Sequence, residues 1–206
     1  MDSMIFDVDG TLWDATEIVA TAWTKAIRQE YDPQATVTSS QLRGLFGKLL
    51  PDIAAQLFPR EEKDRQMELI HICCEEEHRA LLDAPEAPIF PGLEDTLKVL
   101  SEKYKLYIVS NCQAGYIEVF LQRTGFSHYF LDHLCPGDTG HPKGDNIREI
   151  IQRHHLESPV YIGDTAGDCQ ASREADVPFV HASYGYGQVE SADFTISQVT
   201  DLIKIF

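Results

Sequence analysis

Positive charge is scarce in this sequence: 17 lysines and arginines stand against 33 acidic residues, a formal net charge of -16. No dense Lys/Arg run offsets the deficit, and such a surface repels phosphate backbones, which argues against nucleic acid as a partner. Long apolar runs are also missing, so no stretch approaches the length that crosses a bilayer. Met1 to Asp9 has neither a basic region nor a long apolar one and does not read as a secretory signal. The five cysteines, Cys73, Cys74, Cys112, Cys135 and Cys169, are odd in number and scattered, with no CxxC spacing. They read as reduced, mostly buried thiols in a cytoplasmic protein, which leaves out zinc sites and disulfide frameworks. Internal repeats and low-complexity tracts are absent as well.

A core, by contrast, is well provided for. With 43% hydrophobic residues over 206 positions, the chain can bury a core as one domain with a large insertion or as two small ones. Short apolar runs at Met4 to Val8, Leu106 to Val109, Val160 to Ile162 and Val177 to Val180 read as buried strands. Helical patterns lie between them, one after Pro91-Gly92 and one after Pro142-Lys143-Gly144. That alternation predicts an α/β, Rossmann-like three-layer fold with a parallel sheet. From Asp14 to Pro85 the texture changes to helix formers punctuated by Pro33, Gly44, Gly47, Pro51 and Pro59. Four helical pieces are expected there: Ala15 to Tyr31, Ser39 to Phe46, Leu49 to Phe58 and Arg60 to Leu82.

The chemistry-bearing residues fall at strand ends. Asp7-Val8-Asp9-Gly10-Thr11-Leu12 places two carboxylates just beyond the first strand, on the edge where open α/β sheets bind ligands. If that strand stays extended, both project from the same side. A second acidic pair follows another strand, in Gly163-Asp164-Thr165-Ala166-Gly167-Asp168. Converging carboxylates repel unless a hard divalent cation sits among them, and Mg2+ suits oxygen ligands. Ser110-Asn111 ends a third strand, where a hydroxyl and backbone N–H groups can hold phosphate oxygens. Lys143 opens a helix, where ammonium and helix dipole together favour an anion.

These four segments, in this order, resemble the four motifs of the haloacid dehalogenase superfamily, and the closest subgroup is similar to the phosphoglycolate-phosphatase-like hydrolases. The likeness spans nearly the whole chain. It implies a core domain of residues 1–13 and 86–206 and an all-helical cap of residues 14–85. It implies a Mg2+-dependent phosphatase that cleaves a small phosphorylated metabolite through an aspartyl-phosphate. Asp7 would be the nucleophile and Asp9 the general acid and base. Asp7, the Asp9 carbonyl, Asp164 and Asp168 would serve the metal. Ser110, Asn111 and Lys143 would bind the phosphoryl group, and the Thr11 hydroxyl would support the nucleophile loop. Arg43 and Lys48, in the flexible segment with Gly44 and Gly47, are candidates to meet the leaving group.

Rival readings are a phosphomutase of the β-phosphoglucomutase type, a pyrophosphatase and a non-catalytic binding protein. The region Ile18 to Trp23 lacks the cap-hinge histidine of the mutases, and Asp7, Asp9, Lys143 and Asp164 are all present, so phosphatase is preferred. A monomer is the default expectation. Trp13 and Trp23 are expected at the junction of core and cap, and Tyr184 to Gly187 near the mouth of the site. Cys73 and Cys74 are expected to pack, His154 and His155 to cap a helix, and Cys112 to make the site sensitive to oxidation.

Overall fold

The computed structural model describes all residues, Met1–Phe206. Six strands, β1 (Ser3–Phe6), β2 (Lys105–Val109), β3 (Phe130–Leu134), β4 (Pro159–Gly163), β5 (Phe179–Ala182) and β6 (Phe194–Ile196), form one parallel sheet in the order β3-β2-β1-β4-β5-β6. The central strands are short and apolar because helices cover both faces. β1 lies between β2 and β4, with Phe6 in register with both Ile108 and Ile162. The chain leaves β1 for one side of the sheet and reaches the other side at β4. The crevice at that switch point is open to a ligand.

Four helices intervene between β1 and β2: α1 (Thr16–Glu30), α2 (Ser39–Arg43), α3 (Leu50–Leu57) and α4 (Lys63–Asp83). α1 buries Val19, Ala20, Trp23, Ala26 and Ile27, the one-face spacing of an amphipathic helix. α2 starts at a capping box made by Thr38 and Gln41, and Pro51 sits in the first turn of α3. The remaining helices are α5 (Leu93–Ser101), α6 (Tyr116–Thr124), α7 (Pro136–Thr139), α8 (Lys143–His154), α9 (Ala166–Glu174) and α10 (Leu202–Ile205). None is long and apolar enough to cross a membrane.

The helical segment has no separate core. One apolar cluster runs from Met4 and Phe6 on the sheet through Trp13, Tyr116 and Phe120 to Trp23, Ile70 and Leu81. Trp13 packs edge-on against Tyr116 and Phe120, so its indole stands where sheet and helices meet.

Three details differ from the expectations. β1 stops at Phe6, because the Val8 carbonyl accepts N–H groups from Thr11, Leu12 and Trp13 and turns the chain. Pro178 has no N–H to give the ladder, so β5 begins one residue beyond it. β3 and β6 are edge strands whose polar residues hide the pattern. In β3, Asp132 accepts from Arg153 and pairs with His154 at 2.8 Å. His154 thus closes α8 against the sheet, while His155 takes the left-handed conformation that ends it.

Candidate active site

Asp7 follows β1 directly, and its N–H is bound to the Ile162 carbonyl. Its buried carboxylate accepts through Oδ1 from Ser110 Oγ at 2.8 Å and from Lys143 Nζ at 2.7 Å. Neither donor touches Oδ2. Lys143, the first residue of α8, also donates to Asp168 Oδ1 at 2.5 Å. Residues more than a hundred positions apart thus converge at the sheet's switch point. Burial pushes the Asp7 carboxyl above the ordinary carboxylate range, against the pull of Lys143.

Carboxylate oxygens of Asp7, Asp164 and Asp168 lie within 4.8 Å of one another. Asp168 is fully engaged: Oδ1 takes Lys143, while Oδ2 accepts from the Thr165 N–H and hydroxyl as part of the α9 capping box. Burial opposes its charge, yet Lys143 and Thr165 hold its carboxyl below the usual value. Asp168 therefore anchors Lys143. Asp164 differs: Oδ2 accepts from the Tyr186 N–H, but buried Oδ1 has no partner. Burial and the neighbouring Asp168 and Asp7 push its carboxyl up. An orphaned carboxylate oxygen beside two further carboxylates is a donor set that fits a hard divalent cation.

Close packing around Asp164 depends on two glycines. A Cβ on Gly10, whose φ is +79°, would lie 2.2 Å from Asp164 Oδ2. One on Gly185 would lie 2.4 Å from Asp164 Cβ and from the Gly10 carbonyl. Both positions require glycine if the nucleophile loop is to touch this aspartate. The expected support from the Thr11 hydroxyl is not found, since its buried Oγ1 has no partner. The loop is held instead by the Tyr184 hydroxyl donating to the Thr11 carbonyl at 2.8 Å.

The strand does not stay extended as far as Asp9, because β1 ends at Phe6 and the chain turns on the Val8 carbonyl. Asp9 Oδ1 accepts from the Tyr116 hydroxyl at 2.7 Å and from Trp13 Nε1 at 3.1 Å. Desolvation pushes its carboxyl up to about 7, with the Tyr116 bond opposing and the Asp7 charge adding. Two donors on Oδ1 leave Oδ2 as the oxygen that carries a proton. The backbone N–H groups of Asp9 and Asn111 find no acceptor within the chain. The Asn111 side chain reaches the helical segment and donates to the Gly47 carbonyl at 2.8 Å.

Above Asp9 lies a feature the motifs do not reveal. Glu77 of α4 is buried, accepting from Trp23 Nε1 at 2.6 Å and from Gln113 Nε2 at 3.3 Å. It occupies the apolar face of its helix, in line with Ile70, Cys73, Cys74 and Leu81. A lone acid on that face was the available signal. Tyr116 had no signal beyond its place after Asn111. Burial, then the nearby Asp9, push the Glu77 carboxyl up to about 8. A folded-state value above the ordinary 4.5 favours folding at low pH. That contribution is lost as pH rises through the interval from 4.5 to about 8. Glu77→Gln is therefore expected to flatten the decline of melting temperature across that interval, and an unchanged slope would contradict the burial argument.

Arg43 and Lys48 do not come together. Arg43 pairs with Asp14 at 2.9 Å on the surface, whereas Lys48 borders the small cavity above Asp9 but donates to Gln56 at 3.1 Å. Tyr186 joins the mouth of the site to the helical segment, its hydroxyl on Asp14 and its ring against Phe46. Cys73 and Cys74 are buried, as the packing reading requires. Cys112 is half-buried at the edge of the cleft, and burial pushes its thiol well up, which disfavours the thiolate that oxidation uses.

Residues 4–182 match the family model described as haloacid dehalogenase-like hydrolase. The chain belongs to that family. This hydrolase is 26% identical over 219 residues to a phosphoglycolate phosphatase of Aquifex aeolicus (strain VF5), with 100% of the chain and 96% of the relative covered. It is 28% identical to a phosphoglycolate phosphatase of Synechococcus elongatus, covering 99% and 96%. A haloacid dehalogenase-like family hydrolase from Streptococcus pneumoniae shares the fold, with a TM-score of 0.86, 23% identity, and coverage of 100% and 98%. This hydrolase is accordingly an enzyme of the phosphatase kind.

Proposed function

We propose that the protein hydrolyses a small phosphomonoester, of the size of phosphoglycolate or a sugar phosphate, through an aspartyl-phosphate on Asp7. The observation that carries this reading is the pairing of Asp7 with Ser110 and Lys143 on one carboxylate oxygen. These two donors mark where a phosphoryl group would sit, and they transfer to its oxygens as it arrives. Asp7 attacks phosphorus in line while Asp9 Oδ2 gives its proton to the leaving oxygen. Asp9 then takes a proton from the water that attacks the acylphosphate. The free N–H groups of Asp9 and Asn111 supply further donors to the transferring group.

Asp7, the Asp9 carbonyl and Asp164 would hold Mg2+, with Asp168 steadying Lys143 beside them. The ion when bound would offset the repulsion between the nucleophile and a phosphate dianion. The segment 14–85 acts as a cap that closes over residues 1–13 and 86–206, and the contacts Asn111 to Gly47 and Gln113 to Glu77 support this, because they tie the two across the site. EDTA is expected to abolish hydrolysis of p-nitrophenyl phosphate and added Mg2+ to restore it. Full turnover in EDTA would contradict the metal assignment.

A further inference from the structure

The segment after β5 touches both the candidate metal site and the root of the helical segment. Tyr186 donates its N–H to Asp164 Oδ2 at 2.6 Å, and its hydroxyl donates to Asp14 Oδ1 at 3.0 Å. Asp14 is where the chain leaves for the helices. Its own N–H is bound to the Pro88 carbonyl at 2.9 Å and Trp13 bridges Ile89, so the outgoing and returning chains run side by side there. A cap that opens would turn about this point.

Asp14 gathers donors from both sides of that hinge. Oδ1 accepts from the Thr16 N–H and hydroxyl as well as from Tyr186, and Oδ2 accepts from Arg43 of α2 at 2.9 Å. Burial opposes the charge of Asp14, yet these donors hold its carboxyl below the ordinary value. Of these donors only Tyr186 comes from the core. Burial pushes the Tyr186 hydroxyl above its ordinary range, so it stays a donor, and a hydroxyl on a carboxylate makes a charge-assisted bond.

The Tyr186 segment has no slack against Asp164. A Cβ on Gly187 would lie 2.7 Å from the Asp164 carbonyl oxygen and 2.9 Å from Thr165 Cα, and one on Gly185 would meet Asp164 Cβ. Backbone packed this closely moves only with the aspartate. On the helical side, the Tyr186 ring lies 6.3 Å from that of Phe46 between centroids. The next residue, Gly47, approaches Thr165 so closely that a Cβ would lie 3.3 Å from its Cγ2. One side chain thus spans from the aspartate whose Oδ1 has no partner to the hinge and to a loop of the cap.

We propose that Tyr186 is a positioning residue that ties closure of the cap to the placement of Asp164, so that a cation at Asp164 and a closed cap favour each other. This rests on the cap and metal assignments proposed above. With Asp164 fixed, the Tyr186 segment is fixed as well, and a hydroxyl already held toward Asp14 costs less to order when the cap closes. The coupling is reciprocal, so loosening the cap weakens the hold on the cation.

The test reads Mg2+ binding and cap opening without catalysis. Binding is taken from the Mg2+ concentration that half-saturates the rise in melting temperature, and opening from hydrogen exchange of the peptide containing residues 44–48, with and without Mg2+. Tyr186→Phe keeps the ring and the N–H on Asp164 and removes only the bond to Asp14. It is expected to raise the half-saturating Mg2+ by about threefold or more, to speed exchange at 44–48, and to abolish the protection that Mg2+ adds there in the wild type. Asp14→Asn weakens the same bond from the other end. It is expected to shift the Mg2+ requirement in the wild-type background and not in Tyr186→Phe, whereas a through-space effect of the lost charge would persist in both. Circular dichroism confirms the fold of each variant. An unchanged Mg2+ requirement in Tyr186→Phe, or equal shifts by Asp14→Asn in both backgrounds, overturns the inference. Should Mg2+ leave the melting temperature of the wild type unmoved, the metal assignment falls and takes this inference with it. With the wild type responding and Tyr186→Phe responding identically, only the inference falls.

Discussion

Asp7→Asn is expected to lower turnover of any phosphomonoester by about 10⁴- to 10⁶-fold, the scale on which removal of a covalent nucleophile acts. The amide is nearly isosteric and still accepts from Ser110 and Lys143, so the loss is chemical and not structural. Stability should move the other way. Three buried carboxylates crowd around one ammonium, an arrangement that costs folding free energy without a cation to balance it. Removing one of these charges leaves Lys143 paired with Asp168, and the melting temperature is expected to hold or rise. A variant that loses activity by unfolding would show the reverse, which a thermal melt measured beside the assay distinguishes.

Asp9→Asn is expected to separate the two chemical steps. An amide has no proton to give an alkoxide and cannot take one from water, so alkyl phosphates should lose about 10²- to 10⁴-fold in kcat/KM. p-Nitrophenolate departs without a proton. With that substrate the first step is spared and the second is not, so the variant should release one equivalent of nitrophenol in a burst and then turn over slowly. Tyr116→Phe, which strips one of the two donors from Asp9 Oδ1, should slow alkyl phosphates more than the nitrophenyl ester. A packing defect at Tyr116 would slow both alike, and equal losses would assign the residue to packing.

The parts of the fold that were legible in the sequence are those whose residues answer to one constraint. β1, β2 and β4 are buried on both faces and read as apolar runs, while α1 to α4 showed helical texture between proline and glycine breaks. β3 and β6 lie at the sheet's edges, where Asp132 serves a salt bridge and Phe194 is exposed, so neither has a clean pattern. The site divides in the same way. Asp7, Ser110, Lys143, Asp164 and Asp168 sit at the ends of strands or the starts of helices, and their order along the chain announced them. Glu77, inside α4, and Tyr116, the first residue of α6, reach the same space from positions far from Asp9 in sequence, and only packing brings them to it. The division of labour between Asp164 and Asp168 was likewise invisible, because it depends on which oxygen each neighbour occupies.

The covalent intermediate on Asp7 is the claim on which the rest depends. Acid-quenching Asp9→Asn during its burst with p-nitrophenyl phosphate, followed by peptide mapping, tests it most directly. The account predicts a phosphoryl group on the peptide containing Asp7, in an amount matching the burst and absent from the Asp7→Asn enzyme. Release of nitrophenol with the phosphoryl group already free in solution, or bound to another residue, would contradict it.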